Sequence, residues 1–328
     1  MKKYFLLVAG AVLSWSSCTN EIETTTNVKT DEATEITASA YVPGMTRVYN
    51  AQEVELFQLQ HEGFYLGALA GTDPYFASGM TYDSKNRYWA LDDTVTNKTW
   101  PKDANTPLTF YGIYTGYDIT ADNKPNLRID EQYGPAWIIH KDTIQGERDL
   151  MAAFVAPTTL AENPYGEVQL DFKHILAEVI VNFKGSYSGY DYKVGQVYLR
   201  APAGGAYVFG NDMFVQSDTA KNNYRLDTAS ISVDAFMEAV EFNEEEFTQC
   251  GGPVMVAPGQ CELSFGMQTA VQGGDFSEIE KKSFFFEVEP GYRNIVNVTV
   301  DPASKAFFFN VDVIDWPEEE NIINLPEN

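Results

Sequence analysis

Few side chains in this sequence are of types that do covalent or metal chemistry. Three cysteines (Cys18, Cys250, Cys261) and three histidines (His61, His140, His174) are scattered through 328 residues. Their spacing matches no zinc-ligand pattern, so neither a metal nor a cofactor is expected. No phosphate-cradling GxxxxGK(S/T), dinucleotide GxGxxG, HExxH, GxSxG or Asp-rich calcium loop occurs. A glycosidase needs only two carboxylates about 5 to 10 Å apart, and the 47 acidic residues supply many pairs. Runs such as 244–246 and 318–320, however, read as solvated faces. The aromatic set Phe110, Tyr111, Tyr114 and Tyr117 could form a sugar-stacking platform, but aromatics in a strand are more often core and cross-strand pairs. His174, among Phe172, Ile175 and Leu176, reads as a hydrogen-bonded structural histidine. No catalytic residue is assigned, and the chain reads as a non-enzyme.

The remaining reactive group is the thiol of Cys18. Met1-Lys2-Lys3 gives a basic start, residues 4–13 (YFLLVAGAVL) an apolar run, and 14–17 a small or polar stretch interrupted by Trp15. The run is about half of the roughly 20 residues a membrane span requires, so residues 1–17 read as a signal peptide. A cysteine directly after Ser16-Ser17 resembles the lipobox of bacterial lipoproteins, where the thiol is acylated and becomes residue one. Trp15 stands where an aliphatic residue is usual. Glu21 and Glu23 weakly resemble the surface-export signal of Bacteroidetes lipoproteins. Lipidation at Cys18 implies the lipoprotein export machinery as a partner, with an outer-membrane lipoprotein precursor as the first product.

The elements that must carry any function are strands. Lys plus Arg is 22 and Asp plus Glu 47, a net charge of −25, which repels phosphate backbones and makes nucleic acid an improbable partner. A hydrophobic content of 44% with 14% aromatics is too high for a disordered chain. Residues 18–34, rich in Thr, Glu and Asn, read as a solvated tether. From Glu35 the pattern has period two: Ile36, Ala38, Ala40 and Val42 make one apolar face of mostly small residues. Further strands are expected at 53–60, 108–114, 167–172, 177–183, 194–199, 254–257, 261–268, 283–288, 294–300 and 306–314, separated by Gly and Pro turns. In the last of these, Phe307, Phe309, Val311 and Val313 share a face. Many short strands, and no helical period longer than 233–246, predict an all-β sandwich fold. A two-proline loop at 157–166 divides the chain into 35–165 and 166–328. Cys250 and Cys261, outside the cytosol, could form a disulfide or remain two buried thiols.

Taken in order, these features resemble the fimbrillin family of Bacteroidales, subunits of surface pili. The resemblance runs through Cys18, Thr46-Arg47, Tyr88-Trp89, Trp100-Pro101, LTFYGIY (108–114) and DLMAA (149–153). It continues through VQLDFKHILAEVIVNF (168–183), PVMVAPGQ (253–260), Pro290-Gly291-Tyr292 with NIVNVTV (294–300), and VDVIDW ending at Trp316. Tyr292-Arg293-Asn294 replaces the Lys-x-Tyr often found after the late turn, which leaves stalk, tip and accessory roles open.

The resemblance implies two transthyretin-like β-sandwich domains in tandem and cleavage at Arg47 by an Arg-specific surface protease. The first strand (Ile36, Ala38, Ala40, Val42) then departs with the lipid. A strand from another fimbrial subunit enters the vacated groove, the donor being either the face of Phe307, Phe309, Val311 and Val313 or the tail 321–325. Burial of such large apolar side chains is worth about 1.5 to 3 kcal/mol each. The implied product is a cell-surface fimbrium that adheres to host or bacterial surface ligands. The alternative is a surface-anchored glycan-binding lipoprotein that does not polymerise. Replacement of Cys18 by Ala is expected to release the protein from membranes, as read by fractionation, and mass spectrometry should find an acylated N-terminal Cys18 peptide in the unsubstituted protein.

Overall fold

A computed structural model describes residues 33–41, 59–85, 88–91, 95–96, 98–117, 124–130, 134–140, 142–144, 146, 148–216, 221–226 and 240–315. Contacts gather the chain from Thr34 onward into one unit, and the described residues are overwhelmingly strand, as the alternating pattern predicts. In chain order the strands begin with β1 (Thr37–Tyr41), β2 (Phe64–Ala70), β3 (Asp73–Asp83), β4 (Tyr88–Leu91), β5 (Leu108–Tyr114), β6 (Asn126–Asp130) and β7 (Gly134–Ile139). Next come β8 (Met151–Thr158), β9 (Glu167–Asp171), β10 (Lys173–His174), β11 (Ala177–Gly185), β12 (Tyr190–Pro202), β13 (Gly205–Val208), β14 (Met213–Gln216) and β15 (Lys221–Arg225). The last seven are β16 (Val240–Phe242), β17 (Thr248–Gln249), β18 (Val254–Val256), β19 (Gly259–Val271), β20 (Glu280–Val288), β21 (Tyr292–Asp301) and β22 (Ala306–Asp315).

The first sheet has the order β10-β8-β5-β2-β3-β4-β1-β9. Its two ends are consecutive pieces of one stretch, β9 and β10, joined only by Phe172, so the sheet curls back on itself. Inside lie Phe64, Leu66, Met80, Trp89, Phe110, Val168, Leu170 and Phe172. The outer faces of β2 and β5 are buried as well, by Tyr65, Leu69, Tyr111 and Ile113 packing on Trp137, Ile139 and Tyr207. Burial on both faces explains why these two strands read FYLGALA and LTFYGIY rather than alternating with polar residues. Gly67 is required there, because a Cβ would lie 2.1 Å from the Tyr111 ring.

The outer layer is a four-stranded sheet, β14-β13-β7-β6. Its β7–β13 pairing, Trp137 opposite Tyr207 among others, joins strands from either side of the loop at 157–166. The remaining strands form a sandwich of β17-β11-β21-β22 with β18, against β15-β12-β19-β20 with β16. Between them lie Val179, Val181, Phe183, Tyr192, Leu199, Leu263, Phe265, Val296 and Val298. β11 and β21 pair in parallel over eight positions, from Glu178 with Arg293 to Gly185 with Val300.

One expected strand is partly a helix. Residues 59–62 form a single helical turn, closed by Gly63 N donating to Leu59 O at 2.8 Å. The helical spacing puts Leu59 into the first core while Glu62 accepts the Tyr114 hydroxyl at 2.6 Å. An extended chain would place neither.

Burial also leaves a titration signature. The Cys261 thiol is pushed up to about 12 by burial, and the hydroxyls of Tyr114, Tyr207 and Tyr224 are raised from 10.0, first by burial and, for Tyr114 and Tyr207, by Glu62 and Asp212. The folded state therefore keeps protons that the unfolded chain releases. Their contribution is intact below the ordinary thiol and phenol range and is lost as pH rises through it. Urea midpoints should fall from about pH 8 to about pH 11, each such group adding a slope of about 1.4 kcal/mol per pH unit.

Candidate functional site

The feature that stands apart from ordinary packing is β1. It lies between two strands, antiparallel to β4 (Thr37 with Ala90, Ala38 with Trp89) and parallel to β9 from Thr37–Glu167 to Tyr41–Asp171. Ile36 and Ala38 are fully buried and Ala40 packs on the same core, which agrees with the apolar face read from the sequence. The neighbouring residues Trp89, Val168 and Leu170 are large, so β1 inserts small side chains between large ones. Few rotamers are frozen and little area is gained per residue. Its hold comes mainly from backbone hydrogen bonds on both edges.

At the start of β1 those bonds form a clasp. Ile36 N donates to Lys98 O at 2.8 Å, Trp100 N to Thr34 O at 2.9 Å, and Thr37 N to Gly166 O at 3.1 Å. The buried Trp100 indole donates from Nε1 to the same Gly166 carbonyl at 3.0 Å. Gly166 has φ +76°, and a Cβ there would lie 2.3 Å from the Glu35 carbonyl oxygen. Outside, Lys98 Nζ and Glu35 Oε1 pair at 3.3 Å. At the other end Phe172 N donates to Tyr41 O at 2.7 Å. Trp100 and Gly166 are functional residues that the pattern of types did not reveal. Their only signals are the Trp-Pro step and the Pro164 to Gly166 turn.

The second element is β22, the outermost strand of its sheet, paired with β21 over ten positions. Phe307 and Val311 pack on the sandwich core, and Phe309 stacks on Phe284 with centroids 3.8 Å apart. Phe309 nevertheless remains 42% exposed, Val313 53% and, on the opposite face, Phe308 63%. The face expected from the sequence is thus assembled, with half of it uncovered.

Other singled-out residues are structural. Phe110, Tyr111 and Tyr114 are buried in two cores, not displayed as a stacking platform. Alternation in β5 sends them to opposite, equally buried faces, and Tyr117 alone of that set is partly exposed. His174 Nδ1 pairs with the Asp149 carboxylate. Cys250 and Cys261 are both buried thiols; Cys261 Sγ lies 3.8 Å from Gly259 O. Among the described residues no group of His, Cys, Asp and Glu could hold a metal, and no helix is long and apolar enough to cross a membrane. Cys18, Val42 and Arg47, and the tail from Trp316 onward, lie outside the described residues.

Against this geometry the comparisons can be set. The fimbrillin-like family profile matches residues 46–316. The chain belongs to the fimbrillin-like family. No curated protein matches it. The fimbrillin-like fold is similar to a fimbrial protein from Bacteroides vulgatus, with TM-score 0.57, 14% identity, and coverage of 85% of this chain and 99% of the other. It is similar also to candidate cell adhesion proteins from Parabacteroides distasonis (TM-score 0.51, 10% identity, 87% and 96% covered) and Bacteroides ovatus (0.50, 12%, 88% and 100%). At such identities the likeness is one of fold. The family profile begins at residue 46, after β1, which sets the first strand of this fimbrillin-like chain apart from the matched region.

If the clasp holds the first strand, Gly166→Ala should loosen it selectively. A left-handed alanine costs about 1 to 2 kcal/mol, and the added methyl pushes on the Glu35 carbonyl. Hydrogen exchange of the Ile36 and Thr37 amides should accelerate about tenfold or more, while Val181 and Val298 in the sandwich keep their protection.

Proposed function

We propose that this fimbrillin-like protein is a structural subunit of a fimbria-like surface appendage serving adhesion, assembled by protease-triggered strand exchange. The observation that carries the reading is β1, a short strand of small residues hydrogen-bonded on both edges and lying ahead of Arg47. Hydrolysis of the peptide bond after Arg47 by an Arg-specific surface protease frees β1 from everything that follows it. Its withdrawal, with the lipid on Cys18, leaves the edges of β4 and β9 unpaired over a floor of Trp89, Trp100, Val168 and Leu170. Unmet backbone groups beside an apolar slot are costly, and a strand carrying larger side chains satisfies both demands at once. The lipoprotein export machinery delivers the precursor, and other fimbrial subunits supply and receive the donor.

The donor lies in the last two dozen residues. β22 has the apolar face, with Phe309 and Val313 still partly exposed. Its ten paired positions on β21, and the Val296, Val298 and Val300 side chains it helps to cover, support the arrangement in which β22 closes its own sheet and the tail 321–325 docks. The subunit has no catalytic role in this reading.

Trypsin treatment of purified precursor is expected to cut at Arg47 and yield ladders of SDS-resistant oligomers. Arg47→Ala should give monomer only, as should truncation after Ser304. Truncation after Trp316 separates the donors: ladders that persist would reject the tail, and ladders from both truncations would sink C-terminal strand exchange. Intact protein retained on a polysaccharide gel, with no ladder, would favour the non-polymerising lipoprotein.

A further inference from the structure

Away from β1, a cavity of about 290 Å³ opens beside the outer four-stranded sheet, between the chain leaving β5, the start of β6 and the end of β7. We propose that it is a binding site for a single neutral hexopyranose unit. The volume is near the lower limit for small-molecule pockets, room for one sugar-sized ring.

The lining has the two kinds of surface a pyranose demands. Tyr117 and Trp137 supply aromatic wall for a face of C–H groups. The Arg148 guanidinium lies over the Tyr117 ring, 4.2 Å from its centroid, which fixes the ring before any ligand arrives. The Tyr117 hydroxyl is buried and has no hydrogen-bond partner among the described residues. Buried hydroxyls are seldom left so, and a ligand hydroxyl would complete it. On the polar side, Asn126 Nδ2 and His140 Nε2 hold each other at 3.2 Å. The amide and imidazole are thereby oriented, with donor and acceptor capacity left over for adjacent hydroxyls. Thr143 adds a third polar group to the wall.

Charge selects against other ligands of this size. Lys124 is the one cation of the lining and is matched by Asp142, so the site carries no net charge to hold an anion. The chain's −25 opposes anions further. The lining also lacks the set of carboxylates a hard cation would need. A small, uncharged ligand with an apolar face and several hydroxyls is what remains. This inference does not depend on how subunits are joined.

Saturation-transfer NMR on the full chain, with millimolar methyl glycosides of glucose, galactose, mannose and N-acetylglucosamine as separate probes, tests it. At least one is expected to receive saturation. Tyr117→Phe, which keeps the ring and removes only the hydroxyl, and Asn126→Ala, at an exposed position, should each weaken that binding about 2- to 10-fold, the value of one hydrogen bond. Unchanged near-UV circular dichroism would show that both variants are folded. Failure of all four glycosides to bind, or binding unaltered in both variants, would overturn the proposal.

Discussion

Residues 172–179 feed every apolar layer of the molecule. Phe172 is packed in the curled first sheet, Ile175 and Leu176 in the layer between that sheet and its outer cover, and Ala177 and Val179 in the sandwich. Over the same stretch the backbone closes the first sheet through β10 and opens the central strand of the next one, β11. Interiors are close-packed and transmit displacement, so the position of this run fixes where three cores stand relative to one another. His174, held by Asp149, and Glu178, paired with Arg293, are the polar residues within it. They are anchored by partners from a different strand or loop in each case, so the run is clamped as well as packed.

Because the run is fixed, β9 just before it is fixed too, and β9 is the parallel partner of the first strand. The groove around β1 is therefore a rigid frame holding a weakly committed insert. Its walls are supplied by Trp89, Val168 and Leu170, and its upper rim by the Trp100 and Gly166 clasp. A frame that keeps its shape without its insert is the requirement for replacing one strand by another. In the sandwich the opposite holds: β22 lies at an edge, yet its inward residues are shared with the core beneath.

What could be read from residue order alone follows the physics of alternation. Strands β5, β9, β11, β19, β20, β21 and β22 have large apolar residues in sustained patterns, and they fall where expected. Strand β15, KNNYR, has no such pattern; it is a strand because β12 offers it a ladder from Lys221 to Arg225. Likewise β3 and β4 are held by each other's edges more than by their composition. At the candidate site, the small-residue face of β1 was legible because burial leaves a trace every second position. The clasp was not, since Trp100 and Gly166 meet across the fold through one hydrogen bond and a missing side chain. The cavity was partly visible as Tyr117, but its partners come from two other strands' ends.

The parallel pairing of β1 with β9 also sets an order of events for a chain made from its N-terminus. Antiparallel neighbours such as β2 and β3 are joined by a tight turn and can pair as soon as they emerge. β1 cannot: its parallel partner is the last long strand of its own sheet, and the two become adjacent only after every strand between them has been laid down. Closing so large a loop is entropically slow. The strand made first is thus the piece seated last. Until then its slot is an open sheet edge, and the nascent protein passes through a vacant-groove state on its way to the sealed precursor.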